Sequence, residues 1–117
     1  MKSPYHTLCA QKDFIRVYKA KNAIRDRFFR VYIAKNSLRE TRIGISVSVR
    51  CAPRAVKRNR TRRVIKEATR DLLPRIQKGQ DIIIVCEKAQ GWEKKRNVVK
   101  ETLKKLFLRG GIFVKAI

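Results

Sequence analysis

The stretch from Ala55 to Arg70 constrains this chain more than any other. Thr61, Val64, Ile65, Ala68 and Leu72 fall on one stripe of a helix. Arg58, Arg62, Lys66 and Arg70 recur at every fourth position and form a second row on another face. The spacing predicts a helix held to a core on one side and presenting guanidinium groups on the other. A solvated helix face ordinarily mixes signs, yet only Glu67 interrupts this one before Asp71. Like charges one turn apart destabilise an isolated helix by about 0.2–0.5 kcal/mol per pair. An anionic partner relieves that repulsion, and the planar arginine fork fits phosphate with two parallel bonds.

Charge over the whole chain points the same way. Among 117 residues, 31 Lys and Arg stand against 9 Asp and Glu, a formal net charge of +22. Such a chain repels itself without an anionic partner, and nucleic acid is the default one. The hydrophobic fraction of 44% is ordinary and allows one domain, residues 1–117, to bury a core. The longest clean apolar run, Ile82 to Cys86, is far too short for a membrane span. The first residues, Met-Lys-Ser-Pro-Tyr-His, lack the apolar segment of a signal peptide, so a cytoplasmic protein is expected. Cys9, Cys51 and Cys86 are odd in number and widely spaced, and His6 is the one histidine. Neither a zinc site nor a disulfide framework is expected, and Cys86 reads as a small buried hydrophobe.

Periodicity orders the rest. Residues 1–10 have no clear period. Gln11 to Ala20 reads as a helix, with Phe14, Val17 and Tyr18 on one face among Lys12, Arg16, Lys19 and Lys21. Residues 28–34 read as a strand, with Phe29, Val31 and Ile33 toward the core. Phe28, Arg30 and Tyr32 line its other side. Aromatic rings around a cation suit unpaired bases and their phosphates. From Arg42 to Val49 the alternation is strict: Ile43, Ile45, Val47 and Val49 point inward, and Gly44, Ser46 and Ser48 form a flat opposite face. A loop through Pro53 leads to the basic helix, which ends before Pro74. Lys78-Gly79-Gln80 is a turn, Asp81 to Glu87 a strand buried on both faces, and Trp92 to Leu108 a helix. Val98, Val99, Thr102, Leu103, Leu106 and Phe107 make the last helix's apolar stripe. The order α-β-β-α-β-α, with room for one further short strand and with a helix crossing between strands, predicts an α/β (α+β) two-layer sandwich. Its sheet is mixed, and the early strand pair can be antiparallel.

The chain offers no triad, metal cluster or glycine loop for phosphate, so no catalytic residue and no protein-borne metal is expected. A basic ribosomal or other structural nucleic-acid-binding protein is the alternative from a different class.

The run Ala55-Val56-Lys57-Arg58-Asn59-Arg60-Thr61-Arg62-Arg63-Val64-Ile65-Lys66-Glu67-Ala68 resembles the signature of the bacterial ribonuclease P protein component. Asp13-Phe14, Phe28-Phe29, Arg42 to Ser48 and Asp81-Ile82-Ile83-Ile84 agree with the same family, in order, along nearly the whole chain. Two departures stand out. The run Val49 to Arg54 is one residue longer than the family's and lacks its glycine, and Lys21-Asn22 replaces a glycine after the first helix. The resemblance implies a left-handed crossover through the basic helix, as in a ribosomal-protein domain of similar fold. It also implies an RNA subunit that carries catalysis with bound Mg²⁺ and removes the 5′ leader of precursor tRNA. No membrane and no obligate protein partner is expected. By matching position, Arg54, Lys57, Arg58, Asn59, Arg60, Arg62, Arg63, Lys66 and Arg70 fall to RNA binding. Phe14, Tyr18, Phe28, Arg30, Tyr32, Ser46, Ser48 and Arg50 fall to a cleft for the leader.

Overall fold

The computed structural model describes residues 6–7, 11–20, 22–26, 28–36, 38, 40–87 and 96–113. The chain runs β1 (His6–Thr7), α1 (Gln11–Lys19), β2 (Ala23–Arg25), β3 (Phe29–Lys35), β4 (Arg42–Val47), α2 (Ala55–Leu72), a 3₁₀ turn (Leu73–Arg75), β5 (Gln80–Cys86) and α3 (Arg96–Gly110). The sheet is mixed, in the order β1-β4-β5-β3-β2. β5 is its centre. It pairs parallel with β4 and antiparallel with β3, and this is why Ile82 to Val85 reads as an unbroken apolar run.

Alternate residues of β5 serve two cores. Ile82, Ile84 and Cys86 join Phe29, Val31, Ile33, Ile43 and Val47 beneath α2 and α3. Ile83 faces the other way, against Val17 of α1, with Phe14, Tyr32, Ala34 and Val85 around it. The basic helix is anchored where its stripe predicts. Thr61, Ile65, Ala68 and Leu72 are buried and Val64 packs beside them. In α3, Val99, Leu103, Leu106 and Phe107 are buried, but Val98 is exposed and lies at the rim.

Several expectations need correction. The opening residues include β1, a short parallel partner of β4. β2 forms a hairpin with β3, and Asp26 Oδ1 closes it by accepting from the Phe28 and Phe29 amides at 2.8 and 2.9 Å. β3 and β4 run antiparallel but are not neighbours, because β5 lies between them. Phe28 precedes β3 and packs against the main core rather than sharing a face with Arg30 and Tyr32. β4 stops at Val47. Ser48 Oγ accepts from the Cys51 amide at 3.0 Å, turning the chain, and Val49 is left exposed instead of buried. The expected start of the last helix, Trp92 to Lys95, lies outside the described residues, as do Cys9 and the tail 114–117. Among the described residues, no helix is long and apolar enough to cross a membrane.

Candidate nucleic-acid interface

Two surfaces present the predicted side chains. The first is the outer face of α2. At 3.6 residues per turn, Asn59, Arg62, Arg63, Lys66 and Arg70 lie on one arc opposite the buried stripe, and all are exposed. Arg60, also exposed, lies on the flank with Glu67. Arg62 Nη1 donates to Asn59 Oδ1 at 3.2 Å, orienting both on that arc. Arg58 sits at its edge and is half-buried. Its Nη1 donates to the Ala52 and Pro53 carbonyls at 3.1 and 2.8 Å, so it also fixes the loop before the helix.

The start of α2 is electrostatically unfavourable alone. Arg54 occupies the N-cap position with no side-chain cap, the first turn has no acid, and Lys57 and Arg58 follow at once. Cations there oppose the helix dipole by about 0.3–1 kcal/mol each. Anions, phosphate among them, are what a helix N-terminus favours.

The second surface is the sheet face that α1 covers only in part. Strand register sets Tyr32, Ile83 and Gly44 in one row across the sheet and Arg30, Val85 and Ser46 in another, with the β5 residue in the middle of each. α1 lies over the Tyr32 row. Tyr18 meets Tyr32 edge to face with ring centroids 4.7 Å apart, and Phe14 stands 6.3 Å from Tyr18. Burial, and then the neighbouring Tyr32, push the Tyr18 hydroxyl above its ordinary value. Arg30 Nη1 donates to the Tyr32 hydroxyl at 3.1 Å, and its Nε lies 2.9 Å from Glu87 Oε1. The guanidinium is thereby held at the open end of the cleft. Gly44 is buried, so the strip read as flat is open only from Ser46, itself half-buried. Ser48 and Arg50 have left the sheet and lie exposed in the turn toward α2, between the two surfaces.

Three residues of consequence escaped the sequence reading. Val85 is half-exposed between Arg30 and Ser46 and forms the apolar floor of the open end. Glu87 holds Arg30. Asp81, fully buried at the other end of β5, is the hub of an ion-pair knot. Arg42 donates to it through Nε at 2.9 Å and Nη2 at 2.7 Å, Asn36 Nδ2 donates at 2.7 Å, and Arg16 Nη2 completes the set. Burial alone would push the Asp81 carboxyl up. The hydrogen bonds from Arg42 and Asn36 and the charges of Arg42 and Arg16 outweigh it and hold the group below its ordinary value. Arg16 therefore reaches toward the Asp81 knot while its side chain stays largely exposed. An acid opening an otherwise apolar buried strand was the available signal, because such a charge requires partners.

Among the described residues, no three His, Cys, Asp or Glu gather as a metal site. The two oxygens of Asp81 already accept from three side chains, so this carboxylate is not offered to a divalent cation.

A mixed-sheet α/β domain with a cationic helix on one side and an aromatic cleft on the other defines a class: small basic proteins shaped to receive an anionic polymer. Comparison with known proteins narrows it. The ribonuclease P family profile matches residues 3–110. The ribonuclease P protein component of Picosynechococcus sp. is 31% identical over 108 residues, covering 92% of both chains. That of Coxiella burnetii is 35% identical over 95 residues, 81% of this chain and 77% of that one. The solved RNase P protein of Staphylococcus aureus superposes with a TM-score of 0.79 at 27% identity, over 93% of this chain and 98% of that one. The chain belongs to the ribonuclease P protein component family.

Proposed function

We propose that this chain is the protein subunit of ribonuclease P, binding the catalytic RNA and the 5′ leader of precursor tRNA during endonucleolytic removal of the leader. The observation that carries the reading is the split of duties across one sheet. The arc of Arg62, Arg63, Lys66 and Arg70 gives a row of phosphate contacts on a rigid, anchored helix. Tyr18 and Tyr32, with Arg30 held beside them, give a narrow platform for unpaired nucleotides. A duplex fits the first surface and a single strand fits the second. Arg50 and Arg54 lie on the path between them.

In this reading the protein positions and the RNA subunit performs the chemistry. The Mg²⁺ that the reaction uses is held mainly by that RNA and supplies charge neutralisation at the scissile phosphate. The chain's own residues neutralise backbone charge around the junction and fix the direction in which the leader departs.

Reconstitution tests this. The purified protein is mixed with the source organism's catalytic RNA and a precursor tRNA. Cleavage at the mature 5′ end that needs the RNA and is strengthened by the protein is the expected result. Robust metal-dependent cleavage by rigorously RNA-free protein would sink the assignment.

A further inference from the structure

Cys51 and Cys86 are far apart in sequence but meet in the fold, with Cys51 Sγ 2.7 Å from Cys86 Sγ. Nothing in the RNA-facing geometry uses this pair. Cys86 is the last residue of β5, in register with Phe29 and Val47, and is 2% exposed. Cys51 is half-buried in the turn that follows β4. That turn is ordered: the Cys51 and Ala52 amides donate to the Ser48 carbonyl at 3.1 and 3.0 Å, and Arg58 holds the carbonyls of Ala52 and Pro53. The two sulfurs are thus brought together by hydrogen-bonded backbone on one side and a central strand on the other. The chain need not move appreciably to join them.

We propose that Cys51 and Cys86 form a reversible oxidation site, converted by a small-molecule disulfide into a cystine that locks the turn before α2 onto β5. The partially accessible Cys51 acts first. Its thiolate attacks one sulfur of the oxidant, giving a mixed disulfide and releasing one small thiol. Cys86 then attacks the Cys51 sulfur and releases the second. Two protein thiols become one cystine and one small-molecule disulfide becomes two thiols, so two electrons and two protons leave the protein. Exposed Arg50 and Arg54 flank the turn and favour an anionic oxidant such as glutathione disulfide. Buried Cys86 is shielded from direct attack, which orders the two steps.

The crosslink closes the segment from Cys51 to Cys86, which contains all of α2 and its return to the sheet. Restricting so long a segment in the unfolded chain stabilises the folded one. In a reducing compartment the pair rests as two thiols, and the lock forms under oxidant.

The full chain is equilibrated in glutathione buffers from reducing to oxidising, trapped with iodoacetamide and mapped by peptide mass. The expected product is a Cys51–Cys86 crosslinked peptide, 2 Da lighter than the sum of its parts, with Cys9 alkylated throughout. Its formation should raise the melting temperature by roughly 5–15 °C, and Cys51→Ser, at the half-exposed position, should abolish that rise. The proposal is overturned if both thiols remain alkylated in the most oxidising buffer, or if Cys9 takes either one as its partner. A crosslink that leaves the melting temperature unchanged, or an equal rise in Cys51→Ser, overturns the lock.

Discussion

The two faces of the sheet use the same strands for opposite ends. Under α2 and α3 the side chains are aliphatic and aromatic, fully buried, and matched across three elements. Among the described residues, the fully buried apolar pair under α1 is Val17 and Ile83, ringed by half-exposed Phe14, Tyr32 and Val85. The closed face has enough apolar contact to hold the fold. The open face leaves rings and a guanidinium where a ligand can cover them, and it is pinned by the polar knot at Asp81 rather than by more hydrophobic area. Truncations on the closed face should therefore cost stability, and those on the open face should cost binding.

Phe107→Ala gives the largest expected effect. Phe107 is fully buried and meets Phe113 edge to face at 6.0 Å. Losing a core Phe costs about 3–5 kcal/mol, a large part of a small domain's stability. Urea unfolding of the variant should show the midpoint falling with little change in slope. A loss below about 1 kcal/mol would mean that the two faces do not differ as described.

Asp81→Asn probes the knot that holds the open face. Removing one partner of a buried ion pair costs about 3–5 kcal/mol. The effect here should fall toward the lower end, because Arg16 remains partly hydrated. The sign with pH follows from the depressed carboxyl. Its contribution is complete above the ordinary carboxylate range, near pH 4, and is lost as pH falls through the lower folded value. Stability of the natural protein should decline below about pH 4 more steeply than that of Asp81→Asn. Parallel acid limbs would show that Asp81 does not carry this dependence.

Much of the closed face was legible in the sequence because it is written in local periods. The stripe Thr61 to Leu72, the alternation Ile43 to Val47 and the apolar run Ile82 to Val85 each announce an element and its buried side within a few neighbours. The open face depends on non-local choices. Nothing near Tyr32 states that β5 rather than β4 will lie beside it, or that α1 will place Tyr18 on its edge. β2 is three residues long and exists only as the partner of β3, too short for a period to mark. Asp81 looked like a strand end because its partners Arg16, Asn36 and Arg42 come from α1, the loop after β3 and β4. The turn at Ser48 ended an alternation that continued in the letters to Val49: the Ser48 hydroxyl and carbonyl both accept from the Cys51 amide, which turns the chain out of the sheet.

Arg62→Ala carries the comparison to the outer face of α2. Arg62 is exposed and donates to Asn59, so its loss should leave the melting temperature within a few degrees of the natural value. A charge-assisted phosphate contact is worth about 1.5–3 kcal/mol, and each one lost should flatten the salt dependence of RNA binding by about one unit. Arg60→Ala, on the flank of the arc, should behave in the same direction with a smaller effect. Unchanged affinity and unchanged salt slope in both variants would remove α2 from the RNA interface.

Tyr32→Ala is the most exacting test, because Tyr32 belongs to both descriptions at once. Its ring packs against Tyr18 and the Val17–Ile83 cluster, and its hydroxyl accepts from Arg30. If the open face is a binding platform, removing the ring takes away a stacking surface worth about 1–3 kcal/mol per base. The reconstituted holoenzyme should then bind precursor tRNA roughly five- to hundred-fold more weakly. Mature tRNA, which has no leader, should bind nearly as before, because the α2 arc lies on the other side of the sheet. If Tyr32 is instead one more core residue, the variant loses melting temperature and both ligands weaken together. Affinities for the two RNAs, measured beside the melting temperature, separate these outcomes. Equal losses for both ligands would place Tyr32 with the closed face and leave the cleft between α1 and the sheet without a ligand.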